Sequence, residues 1–278
     1  MKLFWISLIL LGFVGYLAWP YGVFELRDTN PKTTSIIELR RSEARAKHLP
    51  FKPQMVWRNL NQISPEMIHA IILSEDDTFY QHHGFDLEQI EIAFQRNWQK
   101  KRYVYGGSTI TQQLARTLYL RPRKSILRKV KEAALTVYLE KLLSKKRILE
   151  LYLNVAEWGN GIFGVEAASQ AYFHKSAADL TADEAVALAS ILPSPRRWSP
   201  VSEKAFMARR RTQLFERMQR AGYAPPSYFM DGESTAVTID PNSLFAPAEP
   251  ETISDQQPKA DELSEPPHPE APADPANP

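Results

Sequence analysis

The chain has 278 residues, 44% of them hydrophobic, enough for one large domain or two small ones. It contains no cysteine, which excludes disulfides, thiol nucleophiles and zinc–thiolate sites. The formal charge of +2 hides an asymmetry: the last 38 residues carry eight acids against Lys259, leaving 33 basic and 24 acidic residues elsewhere. A basic body suits an anionic membrane surface, a phosphorylated substrate or nucleic acid.

After Lys2 the chain carries no charge from Leu3 to Trp19, and its apolar character continues to Phe24. A run of about 20 apolar residues spans a bilayer core. Trp19, Pro20 and Tyr21 follow the run where a signal peptide would have a small-residue cleavage site, so residues 1–24 read as an uncleaved transmembrane anchor. Residues 25–49 read as a polar linker, and the hydrophobic pattern then becomes helical almost throughout.

Ser64 and Pro65 open the first strong helix, with Met67, Ile68, Ile71 and Ile72 as its apolar stripe. Glu75 falls on that stripe at the helix end. A carboxylate half-sunk in apolar surroundings holds its proton more tightly, which suits proton transfer near neutral pH. The same position also suits a helix-end Glu that snorkels to water.

Asp86 and Gln89 form a capping pattern for a helix with Ile90, Ala93, Phe94 and Trp98 on one face. Gly106 and Gly107 break the chain before the next helix, which Ser108 caps and whose buried stripe is Ile110, Leu114 and Leu118. Ser125 is the expected cap of a helix with Ile126, Val130, Ala133, Val137 and Tyr138 inward. Further helices are expected from Ser144, over about Val165 to Phe173, from Thr181 to Pro193, and from Glu203 to Ala221. From about Pro241 the chain is rich in Pro and acids, so residues 223–278 read as a mostly disordered tail.

A second cluster holds Arg121, Arg123, Lys124, Arg128, Lys129 and Lys131 around Glu132. On a helix, Arg128 and Lys129 flank Glu132 at four and three residues' spacing and favour its ionised form. Two carboxylates pushed in opposite directions divide the labour of sugar chemistry, one moving protons and one staying charged. The bland alternative is a solvated basic helix face.

Three segments in succession then resemble a known family: Glu75-Asp76-x-x-Phe79-x-x-His82-x-Gly84, Gly107-Ser108-Thr109-Ile110-Thr111-Gln112-Gln113-Leu114, and Arg128-Lys129-x-x-Glu132. Arg147-Ile148-Leu149-x-x-Tyr152-Leu153-Asn154 and Gly161-x-x-Gly164-Val165-Glu166-Ala167-Ala168 continue it, and Leu188 to Pro195 matches more loosely. These are similar to the motifs of the peptidoglycan glycosyltransferases, in order, over roughly residues 50–220. The whole chain resembles the monofunctional members. No Ser-x-x-Lys occurs, so the transpeptidase of bifunctional relatives is not expected.

The resemblance implies an all-α, lysozyme-like domain over 50–222, with head and jaw lobes, that polymerises lipid II into glycan strands with inversion and releases undecaprenyl pyrophosphate. It implies Glu75 as general base toward the acceptor 4-hydroxyl, and Glu132 at the donor pyrophosphate with a divalent cation, Mg or Mn. Ser108, Gln113, Arg116, Lys124, Arg128 and Lys129 match substrate-binding positions, and Asp76, Phe79 and His82 match those that shape and support the base. Arg116 stands where the family commonly has Lys, and Lys124 where Arg is common, which changes hydrogen-bond geometry but not charge. Implied partners are lipid II, the growing strand, the membrane, and cell-wall synthesis or division proteins, with the chain in the bacterial inner membrane and its domain in the periplasm. Nucleic acid is not expected, because the basic residues track a motif. A lytic, lysozyme-like hydrolase has no need of the basic cluster, and a non-catalytic scaffold has no need of both glutamates.

Overall fold

The structure, a computed structural model, describes residues 4–5, 22–100, 107–122 and 125–224. The expected anchor over 6–21, Lys124 and the expected tail from 225 lie outside the described residues. Among the described residues no helix is long and apolar enough to cross a membrane.

The fold is mainly helical. Its helices are α1 (Ser35–Ala46), α2 (Pro65–Glu75), α3 (Leu87–Gln99), α4 (Ile110–Tyr119), α5 (Ile126–Leu142), α6 (Lys145–Val155), α7 (Val165–Phe173), α8 (Ala182–Ile191) and α9 (Ala205–Arg220). Three short strands, β1 (Gln54–Met55), β2 (Glu157–Gly159) and β3 (Ile162–Phe163), form a small sheet with β3 in the middle, parallel to β1 and antiparallel to β2. The local signals explain most boundaries. Ser64 accepts from the Met67 N–H at 3.1 Å, and Thr181 forms a reciprocal box with Glu184.

Helix α8 is apolar on nearly every side, so it sits inside. Helices α2 and α9 pack on it and on each other, which buries Met67, Ala70 and Ile71 beside Leu214 and Met218. Helix α4 packs on α5 and α6, and α6 is buried from Ile148 to Val155 except Glu150.

Several expectations are corrected. The 25–49 stretch is not a plain linker: Leu26 is buried in a 3-10 turn that begins at Val23, itself buried in the core although it falls within the expected anchor, and α1 is capped by Thr34 and buries Ile37. Its helix is mostly polar, and only one face meets the core, which hides it from a composition reading. The cap of α4 is Thr109, whose hydroxyl accepts from the Gln112 N–H, rather than Ser108. Ser125 makes no side-chain cap. The inward face of α5 is Glu132, Leu135, Thr136 and Leu139, while Ile126 is 86% exposed. An ion pair closed within the helix lets Glu132 go inside, and this rotates the buried stripe away from the apolar one. Phe94 and Trp98 of α3 likewise share a face, but it points outward, at 65% and 76% exposure.

Asn154 welds the two ends of this scaffold. Its side-chain oxygen accepts from the Arg58 N–H at 2.7 Å, and its amide donates to the Arg58 and Glu150 carbonyls, both at 2.8 Å. Gly164, at φ +81, lies against Asn154, where a Cβ would come within 2.6 Å of the Asn154 carbonyl oxygen. Asn154→Ala strands the Arg58 amide and carbonyl; we expect a loss of about 2 kcal/mol, read as a lower denaturation midpoint at unchanged m.

Candidate active site

Glu75 is the last residue of α2, and the chain leaves the helix at Asp76. Asp76 fastens this exit. One carboxylate oxygen meets His82 Nε2 at 2.8 Å, and the other accepts from the Ile110 N–H at 2.9 Å, at the first turn of α4. The Gly84 N–H donates to His82 Nδ1 at 3.0 Å, so the proton of the neutral ring lies on Nε2 and points at Asp76. Thr109 Oγ1 in turn donates to the Gly84 carbonyl at 2.8 Å. Gly84 has φ +92, and a Cβ there would approach Thr136 Cγ2 to 2.7 Å. Phe79 is fully buried behind the turn, with the Lys145 ammonium 4.4 Å from its ring centre. Asp76 and His82 thus fasten the turn that follows Glu75, and Phe79 is buried within that turn.

In front of the turn lies a cleft of about 190 Å³, shared by Glu75, Asp76, Asp77, Asp86, Ser108 and Arg217. Burial pushes the Glu75 carboxyl above the usual range. A hydrogen bond from Gln113 and the charges of Arg210 and Arg116 pull it back only in part. Gln113 Nε2 donates to Glu75 Oε2 at 2.9 Å, while the Tyr152 hydroxyl donates to Gln113 Oε1 at 3.0 Å. Burial drives the Tyr152 hydroxyl far above its ordinary value, so it remains a neutral donor. That bond orients the Gln113 amide with its NH2 toward Glu75. On the Tyr152 side, Gln113, Arg116 and Glu157 line a second cavity of about 150 Å³.

Glu132 projects from α5 with no exposed surface. Arg128 Nη1 meets one of its oxygens and Lys129 Nζ the other, each at 2.5 Å. A buried carboxylate persists when it is paired on both oxygens in this way. Glu132 thus differs from Glu75 in its partners, two cations against one amide, and it lines neither of the two cavities described above. A resident divalent cation does not fit the residues present: both Glu132 oxygens are engaged, and among the described residues no group of three His, Asp or Glu could hold an ion.

Sequence reasoning missed several residues here. Tyr152 lay in a quoted motif without a role, and its buried hydroxyl needed a partner that only the fold identifies. Arg217 reaches the Glu75 cleft from α9 and pairs with Asp77 at 3.1 Å, and no spacing links residues so far apart. Arg210 acts on Glu75 from the same helix.

The transglycosylase family model matches residues 43–219. Proteins called biosynthetic peptidoglycan transglycosylase are similar to the chain. The one from Dechloromonas aromatica is 42% identical, over 78% of this chain and 96% of its own. That from Aromatoleum aromaticum is 48% identical over 67% and 81%, and that from Thiobacillus denitrificans 41% over 76% and 90%. The chain belongs to the transglycosylase family.

Proposed function

We propose that this chain is a peptidoglycan glycosyltransferase that joins lipid II units into glycan strands, with inversion at the anomeric carbon and loss of undecaprenyl pyrophosphate. The observation that carries the reading is the cleft-lining Glu75, whose burial strengthens its hold on a proton and which Gln113 orients. In this reading the domain is lysozyme-like, with head and jaw lobes, and the apolar segment before Val23 anchors it in the inner membrane with the domain in the periplasm. The anchor keeps the cleft beside a lipid-linked substrate and raises its effective concentration.

The acceptor's 4-hydroxyl gives its proton to Glu75 as its oxygen attacks the donor's anomeric carbon. The bond from that carbon to the pyrophosphate oxygen breaks on the opposite face, which inverts the centre. The pyrophosphate leaves as an anion, so the departure calls for positive charge more than for a strong acid. Arg128 and Lys129, oriented by Glu132, supply that charge, with Arg116 and Lys124 as further cations of the donor side. A divalent cation of the Mg or Mn kind would ride on the pyrophosphate as part of the substrate. Ser108 lines the acceptor cleft beside the base.

Polymerisation of labelled lipid II by the detergent-solubilised chain, with lysozyme digestion of the product, tests the reading. Lysozyme-sensitive strands from the unaltered chain and none from Glu75→Gln are expected; a chain that makes no strands would overturn it. Because the folded carboxyl holds its proton more tightly than the unfolded one, ionised Glu75 weakens the fold as pH rises. Glu75→Gln should therefore melt higher at neutral pH, by calorimetry.

Only ionised Glu75 accepts a proton, so kcat/KM falls as pH drops through its raised pKa, and the acid limb lies above that of an ordinary glutamate. Gln113→Leu removes a bond that favours the ionised form. It should move that limb to still higher pH, whereas a purely steric role for Gln113 would lower activity equally at every pH.

Glu132→Gln leaves Arg128 and Lys129 without their shared anchor. A drop in kcat of about 10²–10³ is expected, the scale seen when one preorganised electrostatic contact is lost. Single-turnover rates at saturating lipid II would expose an effect confined to binding.

A further inference from the structure

Helix α1 reaches the cavity that holds Arg116. Ile36 lines it together with Gln113, Arg116, Tyr152 and Glu157, and α1 packs on α4, the helix that carries Gln113 and Arg116. From α1, Arg40 grips Glu157 with two parallel hydrogen bonds, Nε to Oε1 at 2.8 Å and Nη2 to Oε2 at 2.7 Å. The two side chains are 17% and 10% exposed, so the pair is bidentate and largely removed from water. Arg40 Nη1 also donates to both oxygens of Glu43 at 3.2 Å, which keeps Arg40 compensated by a second acid.

Arg116 is the contrast. It shares this cavity with the Glu157 carboxylate, yet among the described residues it makes no side-chain hydrogen bond or ion pair. A guanidinium and a carboxylate that line one cavity attract. Both oxygens of Glu157 already accept from Arg40, which also neutralises its charge.

We propose that Arg40 is a positioning residue of the reaction: by occupying Glu157 it keeps Arg116 unpaired for the anionic group of the lipid-linked donor. This rests on the reading of Arg116 as a donor-side cation. Without Arg40, the Glu157 carboxylate is released into the cavity. It pairs with Arg116 and repels an incoming phosphate, so the donor must displace an internal competitor before it binds. The reacting atoms and Glu75 are untouched, so the penalty falls on binding rather than on the chemical step.

Steady-state polymerisation of lipid II by the full chain in detergent separates the possibilities. Arg40→Gln should raise KM about threefold to tenfold, the range open to a partly buried competing ion pair, with kcat within about twofold. Adding Glu157→Gln removes the competitor and should return KM to within about twofold of the unaltered chain. A merely structural bridge gives the opposite pattern, because a second loss cannot restore a broken bond and Arg40→Gln/Glu157→Gln stays as impaired as Arg40→Gln. An unchanged KM in Arg40→Gln, or no recovery in the double variant, overturns the proposal. If Arg40→Gln does not fold, Arg40→Lys carries the same test, since a lysine holds one oxygen at a time; its KM must rise and then recover with Glu157→Gln. An unaltered chain that makes no polymer would sink the glycosyltransferase reading instead, so the two failures are distinguishable.

Discussion

The contact on which the site most depends is made by Asp76. Its two oxygens bind His82 and the first N–H of α4, so one side chain joins the end of α2, the turn after it and the start of the next motif-bearing helix. Glu75 and Gln113 are neighbours because of this clamp. Each sits within one helical turn of a bonded end, and the remaining positional freedom is a rotamer. Asp76 also satisfies a backbone donor that α4 would otherwise leave unpaired at its N-terminus. Burial pushes its own carboxyl up, against the hydrogen bonds from His82 and Ile110 that pull it down.

Two glutamates in one domain have opposite surroundings. Glu75 has one amide donor and distant cations, so burial dominates. Glu132 has a cation on each oxygen and lies on a helix that supplies both within one turn. In the first, burial favours the protonated carboxyl; in the second, each oxygen faces a cation. Breaking the second is costly in stability, because the Glu132 carboxylate is fully buried and would lose the cations that compensate it.

Much of this was legible in the sequence, and the reasons differ by element. Helices with a side-chain cap and an apolar stripe, such as those opened by Ser64 and Thr181, declare both ends locally. The pairing of Glu132 with Arg128 and Lys129 follows from helical spacing alone. The face of α5 was not legible, because periodicity reports an apolar stripe and not which side the core lies on. Ile126 stays out, while Glu132 goes in with both oxygens paired within the helix and Thr136 goes in with its hydroxyl donating back to the Glu132 carbonyl. Helix α1 was hidden by its polar composition, and its tie to Glu157 spans a chain separation of 117 residues. Contacts between segments far apart in the chain, including Tyr152 to Gln113 and Arg217 to Asp77, exist only once the chain is folded.

The pair behind Glu75 has one more consequence. A primary amide neither gains nor loses a proton near neutral pH, and the buried Tyr152 hydroxyl holds its own far above that range. Neither Gln113 nor Tyr152 can therefore relay a proton from Glu75 near neutral pH. In the proposed reaction, a proton taken up by Glu75 leaves through the cleft in front of it. In a polymerising cycle, each bond made would send one proton out by the mouth through which the next sugar enters, so discharge of the base and refilling of the cleft share a single doorway.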